Sequence, residues 1–152
     1  MGAVVYPNEN VARFVDLNFI PVQIPFTNAK LMEKYVVKWT PTILVVDADG
    51  REHYRMVGFA TPEDFIANFM VGKGRWYMGE EQWTEAEAMF DEAISNYPES
   101  DAAAEALFFR GVSQYKRTHD PKFLRASYEE LTAKFPRNMW TKQADHYRLI
   151  PA

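Results

Sequence analysis

The stretch Lys38 to Gly50, Lys-Trp-Thr-Pro-Thr-Ile-Leu-Val-Val-Asp-Ala-Asp-Gly, constrains this chain most. Ile43 to Val46 is a short, continuously apolar, β-branched run, which predicts a strand buried on both faces. Asp49-Gly50 predicts a hairpin with a primed two-residue turn, because such turns need positive φ. Arg51 to Phe59 then reads as the returning strand. A chain built on such a hairpin needs further elements to cover it, since two strands alone are marginal in water.

The flanking segments supply them. Asn8-Glu9-Asn10 can cap a short helix that ends at Asn18 and carries Val11, Phe14 and Val15 on one face. Phe19 to Ile24 is β-rich, and Pro21 and Pro25 lack N–H donors, so the segment reads as an edge strand. Thr27 or Asn28 can cap a helix through Val36, with Leu31 and Tyr35 one turn apart. Thr61-Pro62-Glu63-Asp64 is a strong helix start, with Pro at the first helical position and acids in the first turn. Phe65, Ile66, Phe69 and Met70 form its apolar stripe.

Tyr6-Pro7-Asn8, Asn18 to Val22, Trp39-Thr40-Pro41-Thr42 and the Asp47 to Gly50 turn together resemble the second half of the thioredoxin fold. The resemblance covers residues 1 to about 71. It implies a cis Thr40–Pro41 peptide opening the hairpin. It also implies that the family's first strand, first helix, central strand and Cys-x-x-Cys would lie before Tyr6, so that the chain is a truncated relative or a piece of a longer protein.

From Gly74 onward helix formers dominate. Gly74, Tyr77, Ala86, Phe90, Ala93 and Pro98 stand at the spacing of a tetratricopeptide repeat, and the chain resembles that family here. Small residues let two helices approach, and Phe90 fills between them. A weaker copy follows, in which Pro136 repeats Pro98 after 38 residues, Tyr115 repeats Tyr77 and Tyr128 repeats Phe90. Gly111 falls one place short of register. A period above the usual ~34 predicts one longer connection. The expected fold class is α/β: a truncated thioredoxin-like βαββα remnant over residues 1–71, then an all-α tetratricopeptide-like helical hairpin array over 72–152.

The chain of 152 residues has no cysteine, which removes thiolate catalysis, disulfides and Cys-ligated metals together. A net charge of −4 argues against nucleic acid or an anionic membrane as partner. His53, His119 and His146 are scattered, so no metal site is expected. The acids Glu80-Glu81, Glu85, Glu87, Asp91-Glu92, Glu99, Asp101 and Glu105 lack the calcium-loop pattern, and most fall on outer faces or first turns of helices, which reads as a solvated face. Gly72-Lys73-Gly74 lacks Walker spacing, and no Ser-His-Asp arrangement is legible. No catalytic residue and no cofactor is expected.

In the thioredoxin family the residue before the cis-proline offers its backbone to an extended substrate. The resemblance therefore implies a peptide- or partner-binding edge at Trp39, Thr40 and Pro41; the plainer reading is a turn that sets the angle of the strand. The aromatics Trp76, Tyr77, Trp83, Phe90, Phe108, Phe109 and Tyr115 read mostly as inter-helix core, with any exposed remainder lining a second, helical groove. The expected function is a redox-inactive interaction module that binds a protein or extended peptide. The alternative is the C-terminal portion of a thiol–disulfide oxidoreductase whose Cys-x-x-Cys lies outside this chain. A purely structural subunit is a third. A missing central strand implies exposed edges, and hence a homo-oligomer, most simply a two-fold dimer. Lack of a signal-peptide-like start favours the cytoplasm.

Overall fold

The computed structural model describes residues 1–151. Its fold is mixed α/β, with a two-stranded sheet and helices in the N-terminal part and a helical C-terminal region. Helix α1, Glu9–Asn18, begins where the Asn8 side chain accepts from the backbone N–H groups of Asn10 and Val11. It buries Val11 and leans Phe14 and Val15 on the core.

Residues 19–25 form no strand. The edge strand expected over Phe19–Ile24 is absent because Pro21 and Pro25 remove two donors and no neighbouring strand supplies a ladder. No backbone hydrogen bond joins residues 20–24 to the rest of the described chain. Ile20 is 92% exposed, and Val22, Ile24 and Phe26 are exposed too. The expected βαββα order is therefore corrected to two helices, a hairpin and a helix.

Helix α2, Ala29–Lys34, is capped by Asn28 and stops two residues short of the expected Val36. Val36 has a φ of 50°. Its N–H donates to the Glu33 carbonyl, and the Val37 N–H donates to the Met32 carbonyl. That double bond pattern is a Schellman termination with a β-branched residue where glycine is usual.

Strands β1, Thr42–Val46, and β2, Glu52–Val57, pair antiparallel. The turn is longer than the two-residue primed turn expected. Asp47 pairs with Arg51, the Gly50 N–H donates to the Asp47 carbonyl, and Gly50 takes a φ of 75°. This is a three-residue loop with glycine at the left-handed position. The Asp47 carboxylate closes the loop by accepting from the Asp49 and Arg51 N–H groups. Nor is β1 buried on both faces: Val45 is buried while Val46 is exposed. Only one face of the hairpin is packed, by α3.

Helix α3, Pro62–Gly79, is the spine. Thr61 caps it, and Phe65, Ile66, Phe69 and Met70 are buried as the sequence predicts. Phe65 stacks on Phe69, and Phe19 and Tyr54 meet Phe69 edge-on. The helix continues unbroken across residues 71 and 72. A Cβ on Gly72 would lie 2.8 Å from the Tyr54 Cβ, so the glycine lets β2 sit directly on the helix.

The helical region continues with α4, Trp83–Asn96, α5, Asp101–Thr118, α6, Lys122–Lys134, and α7, Met139–Gln143, closed by a 3-10 turn at Asp145–Leu149. Ala86, Phe90 and Ala93 are fully buried, with Gly74 against Phe90. Gly111 meets Ser127 in the same way, and the Ser127 hydroxyl donates to the Leu107 carbonyl. The links 80–82 and 119–121 match in length, as do 97–100 and 135–138. The long period thus comes from α5, an 18-residue helix, and not from a longer connection. Arg110 ties three helices together by pairing with Asp91 and Glu130.

Candidate functional site

The segment between α2 and β1 presents the three residues singled out from the sequence. The Schellman termination bonds the Val37 N–H back to the Met32 carbonyl, and both residues line a cleft. Phe26, Lys38, Trp39 and Thr40 complete it, and the cleft has a volume of about 400 Å³. Trp39 is 69% exposed. Thr40 is exposed, and its backbone N–H and carbonyl have no partner among the described residues. The Thr40–Pro41 peptide is cis.

Both ends of this segment are tethered. On the strand side, the Thr42 hydroxyl donates to the Trp39 carbonyl at 2.6 Å, and the Gly58 N–H donates to the Pro41 carbonyl at 2.8 Å. On the helix side, the Arg55 guanidinium donates to the Tyr35 carbonyl, and the Tyr35 hydroxyl donates to the Gly50 carbonyl at 3.1 Å. Glu52 holds Arg55 in place with two hydrogen bonds and keeps its own carboxyl below the usual range through them. Trp39 and Thr40 are therefore displayed by a fixed frame, with Lys38 as the charged group of the cleft.

Phe26, Met32, Val37 and Arg55 were not legible as site residues. Arg55 could have been suspected from its place on the strand opposite Leu44, but its reach to α2 depends on where that helix stops.

The second surface suggested by the sequence, the helical groove, is partly covered by the chain itself. Asn68, Gly72, Arg75 and Gly79 lie along one face of α3, and β2 rests on it. The Tyr54 hydroxyl donates to the Asn68 side chain at 2.7 Å, Arg75 lies over the Tyr54 ring, and Gly79 sits beside His53. Arg75 also pairs with Glu105 of α5 at 3.2 Å. Burial nevertheless raises the Glu105 pKa, with Arg75 pulling against it. Further along, Phe108, Phe109, Trp140 and Tyr147 pack on one another.

The three histidines stay apart. His53 faces the Asp47 carboxylate at 2.8 Å, His119 caps α5, and His146 packs on Tyr147. That hydrogen bond from His53, with the Arg51 N–H, holds the Asp47 carboxyl below its ordinary range. Among the described residues no group of three or more His, Asp or Glu could hold a metal ion.

The cis-proline, the hairpin and the capped helix after it stand in one order along the chain. Residues 2–69 match the thioredoxin-like domain family. The match ends within α3, so the thioredoxin-like part and the helical region share one continuous helix. No curated protein and no solved structure matches the chain. The thioredoxin-like part contains no cysteine, so the thiolate that performs disulfide exchange is not supplied by this chain.

Proposed function

We propose that this chain is a redox-inactive, thioredoxin-like interaction module that binds a protein or an extended peptide at Trp39, Thr40 and Pro41. The observation that carries the reading is the exposed Thr40 peptide unit, with unpaired N–H and carbonyl, beside an exposed indole and an apolar cleft. An extended chain can satisfy those backbone groups while an apolar side chain enters the cleft. Aromatic anchors of this kind dominate binding energy at many interfaces. The helical region is read as a tetratricopeptide-like array, supported by the Gly74–Phe90 and Gly111–Ser127 approaches. Its first-helix face serves as the seat of the hairpin, which favours the cleft over the groove as the binding surface.

The test is selection of a displayed random peptide library on the full chain. Enriched apolar peptides should lose about tenfold or more in affinity on Trp39→Ala, at an unchanged melting temperature. No enrichment, or binding indifferent to Trp39, would overturn the reading.

A second reading is favoured by the open outer edge of β1 and by residues 20–24, whose strand-like sequence makes no backbone hydrogen bonds among the described residues. In it, the chain is the C-terminal portion of a thiol–disulfide oxidoreductase. An in-frame upstream segment carrying a strand that ends in Cys-x-x-Cys would decide for it.

A further inference from the structure

We infer that the outer edge of β1 is a self-pairing surface, on which a second copy of this chain adds its own β1 antiparallel across a two-fold axis at Leu44.

The backbone pattern sets up the pairing. The Gly58 N–H donates to the Pro41 carbonyl, so Pro41 and Gly58 are a bonded pair. Antiparallel pairs alternate between bonded and non-bonded. With Ile43 opposite Met56 and Val45 opposite Tyr54, Ile43 and Val45 turn their backbone groups toward β2. Thr42 and Leu44 then turn theirs outward, and so does Val46 beyond the register shift, because Asp47 after it bonds to Arg51; no backbone group among the described residues meets them there.

Three outward residues at alternate positions are self-complementary. With Leu44 opposite its own copy, Thr42 faces Val46 of the second copy, and each brings a donor and an acceptor. Two hairpins so joined make a four-stranded sheet. The edge residues Thr-Ile-Leu-Val-Val carry no charge and no proline, two of the usual protections against such pairing, and the β1–β2 ladder shifts register between Val45 and Val46. The other strand differs: β2 carries Glu52, His53 and Arg55.

Charge selects the direction. Lys38 lies just before β1, and Asp49 in the turn just after it. Both are exposed, and neither joins an ion pair among the described residues. Antiparallel pairing about Leu44 carries the Lys38 end of each copy toward Asp49 of the other, twice over. Parallel pairing would bring like charges together. Exposed Val46, on β1 itself, adds apolar area at the edge, which the backbone alone lacks against the about 800 Å² per partner of a standard interface.

Sedimentation of the full chain over a micromolar concentration series tests this, with amide hydrogen exchange read alongside. Dimers are expected, with concentration-dependent protection of the Thr42, Leu44 and Val46 amides. Lys38→Glu and Asp49→Lys should each weaken the dimer by about tenfold or more, and the double exchange should restore it. Both positions are exposed, so the melting temperature of the monomer should not move. A monomer throughout the series, or a dimer indifferent to both exchanges, would overturn the pairing. The inference rests on the β1 edge and not on peptide binding: a monomer that still loses peptide on Trp39→Ala would sink the pairing alone.

Discussion

Gly74 of α3 and Phe90 of α4 approach so closely that a Cβ on the glycine would stand 2.5 Å from the Phe90 ring. Phe90 has no exposed surface and cannot retreat without opening the core. In a helix interior alanine is better than glycine by about 1 kcal/mol. Here the clash wins, because it forces two packed helices apart. Gly74→Ala should destabilise the chain by roughly 1–3 kcal/mol net. Urea unfolding would measure it, and a stabilised variant would mean that α3 and α4 do not meet at this point.

Val36 offers the opposite expectation. It is an exposed β-branched residue at a φ of 50°, in a position that glycine usually fills. Val36→Gly should raise stability by roughly 0.5–1 kcal/mol, the relief of strain exceeding the entropy cost of glycine. A lower denaturation midpoint would show that the Val36 side chain contributes packing.

Alkaline pH should loosen the hairpin from α3. Burial raises the Tyr54 pKa, with the Glu105 charge adding to it and Arg75 opposing it. The neutral phenol is thus preferred in the folded state. Its contribution is fully present below the ordinary tyrosine pKa of about 10 and is lost as pH rises above that value. Tyr54→Phe should lose about 1 kcal/mol at pH 7 with the Asn68 hydrogen bond. It should also flatten the decline in stability above pH 10, as seen in denaturation series across that range. An unchanged decline would place the alkaline sensitivity on other tyrosines.

The chain alone should show no disulfide reductase, oxidase or isomerase activity, because the attacking species is a thiolate and no cysteine is present. Incubation with a disulfide protein and a dithiol supply is the check. Turnover above the blank would refute it.

Local chemistry determined much of this protein from its sequence. Asn8, Asn28 and Thr61 cap the helices they precede, because a side-chain oxygen next to free N–H groups needs nothing distant. Gly74, Ala86 and Phe90 announced a close helix pair through side-chain size alone. The tertiary structure decided what depends on a partner. Phe19–Ile24 has strand-like residues but no neighbour to bond with, so it stays unpaired. Val36 looks helical, yet α2 ends before it, and that ending builds the cleft with Met32 and Val37. Arg55 became a tether only because the stop of α2 put the Tyr35 carbonyl within its reach. Helix caps and small-residue contacts are encoded over a turn or two of chain. A strand ladder and a cleft need groups brought together from far apart, and the same residues read differently when those groups are missing.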